Sequence, residues 1–314
     1  MTGAWLATGG TARAEALNDA LSKVYTANPR VQGGRAALRA ADEAVPLARA
    51  AGRPQLAGNA SAAYNAAGDA LPASRQSLSV TQTLYDGGST RAATAQAENG
   101  ARAEQARLML LEQQVLLEAI VAFTTVARDR RILELAQGNE ERLRIEVDAT
   151  RDREHFGDLT RTDILQAETR HAASVADRIA AEGELAVVSA DYVRIFGEPP
   201  DEPLMPPVPP GLPASLDEAL SQSEGTWQRQ VAGFELAAAE QQVAVALAAM
   251  KPRLSLGGEV SYVQDGGRDY GSGGGAAIGA TLSVPLYQGG GDHARVRQSK
   301  ELYSQRRYGQ DDAR

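Results

Sequence analysis

The chain has 314 residues, 40 of them acidic and 32 basic, for a formal net charge of −8. That balance argues against a nucleic-acid partner, because phosphate binding is carried by clustered Lys and Arg. There is no cysteine, which excludes a disulfide framework, a thiolate metal centre and a cysteine nucleophile. Aromatic residues make up only 5% while alanine and glycine abound, thin material for a globular core but suited to close approach between helices.

At the N-terminus Ala4–Thr8 is weakly apolar, and Ala12-Arg13-Ala14 before Glu15 has the small-x-small form of a signal-peptidase site. Residues 1–14 are read as the remnant of a signal peptide whose start is lost. No run of 18 consecutive apolar residues occurs, so no transmembrane helix is expected. Transmembrane strands give a weaker signal and are not excluded on that ground.

From 15 to 51 apolar residues recur near helical spacing, with Asn28-Pro29 and Pro46 predicting a break or bend. The period then changes to two. Leu56, Gly58, Ala60, Ala62 and Tyr64 share one face of a strand over 55–64. Leu78, Val80 and Leu84 alternate with Ser77, Ser79, Thr81 and Thr83 over 76–85. Asp86-Gly87-Gly88 closes the strand, with Gly87 and Gly88 as the turn, and Ser89 or Thr90 is placed to cap the next helix.

That helix is predicted over 89–153 and its partner over 160–197. Leu111, Val115, Ala119, Ala122, Val126, Leu133, Ala136, Leu143 and Val147 repeat in steps of three and four on the first arm, with polar residues at 129 and 140. The second arm is assigned the seam Leu165, Ala172, Val175, Ile179, Ala186, Val193 and Phe196. About 65 residues at about 1.5 Å each make the first arm a rod of about 95 Å. Gly157 permits the reversal between the arms, Thr160 or Thr162 is placed to cap the returning helix, and Asp163 suits its N-terminus.

A proline-rich connector over 199–213 follows, read as extended. The chain then repeats itself with a period of about 200 residues. Ser215-Leu-Asp-Glu-Ala-Leu220 echoes Ala16-Leu-Asn-Asp-Ala-Leu21, and Tyr287-Gln-Gly-Gly290 echoes Tyr85-Asp-Gly-Gly88. A first repeat is therefore placed over 15–198 and a second over 214–314. The second has a helix at 215–250, strands at 253–263 and 276–287, a turn at Gly289 and Gly290, and the start of a helix at 291–314. It has no counterpart of Gln113–Phe196, so it is read as a C-terminally truncated copy.

Each strand is roughly nine to eleven residues with one apolar face, the length and alternation of a transmembrane barrel strand. A half-buried soluble sheet gives the same alternation. Four strands do not close a barrel, and lipid does not tolerate an open edge, so membrane strands would require several chains around one barrel. The alternative reading is a soluble periplasmic coiled-coil adaptor or scaffold without channel activity.

His155, His171 and His293 show no metal-ligand spacing, no serine lies in a G-x-S-x-G context, and no Gly-Lys-Ser/Thr follows the glycines at 271–275 or 289–291. No catalytic residue, cofactor site or metal site is assigned, and no enzyme activity is expected.

In order and spacing the chain resembles the TolC family of outer membrane efflux and type I secretion channels. The residues that carry the likeness are Leu17-Asn-Asp-Ala-Leu21 with Asn28-Pro29, Arg53-Pro-Gln-Leu56, Thr83-Leu-Tyr-Asp-Gly-Gly88 and Lys251-Pro-Arg-Leu254. Leu282-Ser-Val-Pro-Leu-Tyr-Gln-Gly-Gly290 and Phe156-Gly-Asp-Leu-Thr-Arg-Thr-Asp-Ile-Leu-Gln-Ala167 complete it. The resemblance implies a mainly α fold with membrane β-strands. Long antiparallel helical hairpins would form a periplasmic α-barrel, and four strands per chain would join a shared trimeric 12-stranded β-barrel. It implies a homotrimer in outer membrane lipid, docked on a periplasmic adaptor and an inner membrane transporter, through which drugs or proteins leave. Gly157, Asp158, Leu159 and Thr160 match the family's periplasmic tip, the implied adaptor contact, with Leu159 taken as exposed. The family's pore-closing carboxylates fall in the hairpin without a counterpart here, so no aperture residue is assigned.

Overall fold

The computed structural model describes residues 17–63, 73–201, 213–223, 225–264 and 272–313. Their order is α1 (Leu17–Ala27), α2 (Pro29–Asp42), α3 (Ala44–Ala50), β1 (Gln55–Ala63), β2 (Ala73–Tyr85), α4 (Ser89–His155) and α5 (Arg161–Phe196). Then come α6 (Leu216–Ser223), α7 (Trp227–Ala248), β3 (Arg253–Gln264), β4 (Gly273–Ser283) and α8 (Gly291–Asp312). The signal-peptide remnant, most of the proline-rich connector and Tyr64 lie outside the described residues.

Three predicted elements change. The helix at 15–51 is three helices. Asn28 caps α2, its Oδ1 accepting from Arg30 N at 2.8 Å, and Pro29 takes the first helical position, where no N–H is needed. The second break falls at Glu43, because Pro46 has no N–H to donate to the turn before it. The helix at 215–250 is likewise two, α6 and α7, with Thr226 in extended conformation ahead of α7. The strand predicted at 276–287 lies at Gly273–Ser283, stopping before Pro285, which has no ladder donor.

Two compact units emerge. One draws on Met1–Gly34 and Leu110–Pro213, the other on Arg35–Met109 and Ala214–Arg314. They group residues by proximity and cut across the sequence repeat.

In the first unit α1, α4 and α5 share an apolar seam. Ala20, Phe123, Val126 and Tyr192 form one fully buried cluster, with Leu185 and Val188 against it. Val24, Val31, Val115 and Ala119 form the next. Tyr192 stacks on Phe196 with ring centroids 4.1 Å apart, a geometry that adds to the area buried. The predicted seam of α4 is the one found: Val115, Ala119, Ala122, Val126 and Val147 are buried, and Leu133, Ala136 and Leu143 are half-buried.

The predicted seam of α5 is one residue out of phase at five of its seven positions, while Val175 and Phe196 are half-buried and Phe196 packs on both clusters. The inward positions are Ile164, Ala167, His171, Ser174, Arg178, Ala181, Leu185, Val188, Tyr192 and Ile195, a strict three–four repeat. Leu165, Ala172, Ile179, Ala186 and Val193 are exposed. The helix carries two apolar stripes. The outer one looks cleaner because His171, Ser174 and Arg178 interrupt the inner one. α4 also shows an outer stripe, with Leu117, Val121, Ile132, Leu135 and Ile145 exposed.

α4 contains an 18-residue window that by length and composition is apolar enough to cross a membrane, a property that core helices share. Scattered Glu and Gln kept it from being an unbroken apolar run. Its Val115, Ala119 and Phe123 are core residues of the helical unit.

The second unit holds a four-stranded sheet in the order β1-β2-β3-β4, every neighbour antiparallel. α7 lies against α8, where small buried residues (Ala239, Ala246, Val296 and Ser299) permit close packing. Glu235 of α7 ties this layer together, accepting from Arg107 of α4 and, at 2.6 Å, from Arg306 of α8.

Candidate functional site

The turn between α4 and α5 is built from backbone hydrogen bonds and one carboxylate. Gly157 has φ +83°, its N–H reaches the Glu154 carbonyl at 2.8 Å, and Asp158 N reaches the Arg153 carbonyl at 3.0 Å. This crossed pair closes a helix on a left-handed residue, which glycine adopts without the cost of a Cβ. Thr160 is the extended residue before α5. Its backbone N–H and its hydroxyl both donate to Asp163 Oδ2, at 2.8 and 2.7 Å. Thr160 is thus the N-cap of α5 in a capping box, its side chain accepting from the Asp163 backbone N–H while the Asp163 carboxylate accepts from Thr160. Those bonds hold the Asp163 carboxyl below its usual range.

The turn places Phe156 in solvent, 80% exposed, with its ring edge-on to His155. Leu159 is half-buried, which corrects its expected exposure. Gly157, Asp158 and Thr160 are exposed. Phe156 is the apolar residue that the turn presents most fully. Sequence reasoning placed Phe156 in this turn but carried the family's tip contact only onto Gly157, Asp158, Leu159 and Thr160.

Behind the turn, ion pairs bridge the arms where apolar seam residues thin out. Arg151 meets Glu168 at 2.6 Å, Arg170 meets Glu146 at 3.8 Å, and Arg178 meets Glu140 at 2.5 Å. The first two are exposed and stabilise weakly, while Arg178 and Glu140 are half-buried.

At the other end of α4, Gly87 and Gly88 have φ +69° and +93°, and Gly289 and Gly290 repeat this before α8 at +62° and +80°. Neither Ser89 nor Thr90 caps α4. Asp86 reaches over, accepting from Gly88 N at 3.0 Å, Thr90 N at 2.6 Å and Thr90 Oγ1 at 2.5 Å. Gly88 occupies the cap position without a side chain, so a carboxylate two residues earlier takes up the free N–H groups.

The sheet sorts its residues by chemistry. Across the four strands Leu56 lies beside Val80, Gly258 and Ile278, and Gly58 beside Leu78, Val260 and Ala276. The neighbouring rows are Asn59, Ser77, Ser261 and Gly275, then Ala57, Ser79, Glu259 and Ala277. Since side chains alternate, the first two rows share one face and the last two the other. Gln76 and Gln82 are polar exceptions near the ends of the apolar face.

The apolar face is bare: Leu56 is 71% and Ile278 82% exposed. Tyr85 opposite Leu254 and Tyr262 further along mark its two ends. The eight steps from 254 to 262 span about 27 Å along the strand, close to the ~25 Å apolar band of an outer membrane barrel with its aromatic girdles. The outer edges of β1 and β4 have no strand partner among the described residues.

A bare two-faced sheet, joined by a three-residue turn to a very long helical hairpin, defines a membrane channel protein built from strands and helical staves. Comparison with known proteins gives the family. The outer membrane efflux protein family matches residues 20–197. The outer membrane efflux protein BepC of Brucella suis is 32% identical over 304 residues, covering 96% of this chain and 67% of BepC. The crystal structure of CusC matches with a TM-score of 0.82 at 17% identity, over 95% of this chain and 72% of that one. The structure of VceC, an outer membrane protein of Vibrio cholerae, matches with a TM-score of 0.79 at 19% identity, over 94% and 74%. The chain belongs to the outer membrane efflux protein family, the TolC family. It is an outer membrane channel subunit of the efflux class.

Proposed function

We propose that copies of this chain close one barrel in the outer membrane, three of them by family likeness, and that the helical hairpins form the duct wall below it. The observation that carries this is the sheet: one face apolar and bare through its middle, and both edges unpaired among the described residues. In lipid each unpaired backbone group costs several kcal/mol. Four is an even number, so β4 of one copy meets β1 of the next in antiparallel sense, and three copies give twelve strands. A soluble scaffold needs a layer to cover its sheet, yet β1 and β4 are exposed at every described position. The second apolar stripe on α5 supports the same reading, because a stave in a tube wall packs on both sides.

The division into repeats at 15–198 and 214–314 belongs to this proposal, each repeat supplying one strand pair. So does the tip, with Gly157, Asp158, Leu159 and Thr160 shaping the turn and Phe156 exposed to meet a periplasmic adaptor. The duct is read as passive, with drugs or proteins as cargo and an inner membrane transporter as its source. The test is drug export in cells that depend on this chain. Phe156→Asp is expected to abolish resistance while the assembled protein remains in the outer membrane fraction. Export that persists in both Phe156→Asp and Leu159→Asp would refute the tip contact. Recovery of the intact wild-type chain as a soluble protein without detergent would refute the conduit.

A further inference from the structure

We propose that Arg75 and Glu259 set the ion preference of the barrel lumen as a ring of paired opposite charges, each partner cancelling the other. The proposal rests on the shared-barrel reading, in which the polar face of the sheet lines the duct. Among the described strand residues only Arg75, Arg253 and Glu259 are charged. Arg253 opens β3 at its pairing with Ser283, six residues and about 20 Å along the strand from Glu259. Arg75 pairs with Val263, four residues along β3 from Glu259, and its side chain reaches back so that Nη2 and Glu259 Oε1 stand 3.9 Å apart on the polar face.

Their surroundings are small. Ser79 and Ala277 flank Glu259, and added methyls at Gly275 and Gly279 would meet nothing within 4 Å. Apart from Arg253 at the start of β3, Arg75 and Glu259 are the charged side chains on this face among the described strand residues. Both are about half exposed, and exposed ion pairs hold little stability. Their removal is therefore expected to leave the sheet intact.

Each copy in a closed barrel contributes one pair, making a ring of alternating charge. Rings of charged side chains set ion preference in pores, and a low-dielectric wall focuses their field. With both partners present the ring is balanced and passes either sign. Loss of one partner leaves like charges that are not cancelled.

The experiment is ion permeability of the purified channel in planar bilayers under a potassium chloride gradient. Arg75→Gln is expected to raise the potassium-to-chloride permeability ratio severalfold, Glu259→Gln to lower it severalfold, and the double variant to return it near wild type. A companion measurement uses the absence of cysteine, which leaves no labelling background. Ser79→Cys on the polar face and Val80→Cys on the apolar face are treated with a charged, membrane-impermeant thiol reagent. Conductance falling for Ser79→Cys alone supports the barrel reading, and both falling alike overturns that reading. Ser79→Cys responding alone, with permeability ratios unchanged in Arg75→Gln and Glu259→Gln, overturns the charge-selecting role and leaves the barrel standing.

Discussion

Lys251 donates its ammonium to the carbonyl of Gly87 at 3.2 Å, across 164 positions of sequence. This contact fastens the strand-to-helix turn that follows β2 to the loop that precedes β3. A methyl at Gly87 would stand 2.6 Å from Lys251 Cβ and 3.0 Å from the Ala248 carbonyl oxygen, on a backbone at φ +69°. Strain and overlap act together, so Gly87→Ala is expected to destabilise by about 3 kcal/mol. Gly290 has φ +80° but nothing within 4 Å, so Gly290→Ala should cost only about 1 kcal/mol. Unfolding of the two variants in denaturant measures the difference.

Asp86 gives a pH-dependent prediction. Partial burial raises its pKa, but the Thr90 hydroxyl and the N–H groups of Thr90, Gly88 and Ser89 lower it further, leaving it below the ordinary value. A carboxyl that titrates lower in the folded state stabilises fully above its unfolded pKa of about 3.9, and the effect fades as pH falls through the folded value. Asp86→Ala is therefore expected to lose about 1 kcal/mol at neutral pH, the usual size of a helix cap, partly exposed as this one is. The difference from wild type should shrink below about pH 4, as read from unfolding midpoints across pH.

Asp129 interrupts the inner seam of α4. It is 3% exposed, its Oδ1 accepts from Arg128 Nε at 2.6 Å, and its Oδ2 has no hydrogen-bond partner among the described residues. A buried acceptor left unpaired costs about 1–3 kcal/mol, and an apolar residue of similar size removes that cost. Asp129→Leu is expected to raise the melting temperature, while Phe123→Ala in the adjoining cluster should lose about 4 kcal/mol. Calorimetry of both variants checks the contrast.

Much of this fold was legible because its periods are long and regular. The two-residue alternation of Leu78 and Val80 against Ser77 and Ser79 reappears as the two faces of the sheet. The heptad from Val115 to Val147 reappears as the α4 seam. α5 was misread by one residue, since hydrophobicity alone favoured Leu165 and Ile179 over His171, Ser174 and Arg178. Those polar groups are tolerated inward: Arg178 meets Glu140 across the helices, and Ser174 donates to the His171 carbonyl at 2.7 Å. A helix that packs on two sides carries two stripes, and a single sequence does not say which stripe faces its own hairpin. Capping by Asp86 was also hidden, because local sequence ranks Ser and Thr at the cap and does not reveal that Gly88 occupies it. Phe156 fell inside the predicted turn, but sequence alone does not say which residue of a turn is turned out into solvent.

The shared barrel is tested most directly by cross-linking its open edges. Cysteine pairs that combine Ala57, Asn59 or Ser61 of β1 with Gly275, Ala277 or Gly279 of β4 would be placed in this cysteine-free chain and oxidised in outer membranes. Closure between copies predicts that at least one registered pair yields covalent dimers and trimers, with no larger ring. Exclusive formation of monomers across the whole panel, or ladders extending beyond the trimer, would contradict a three-copy barrel.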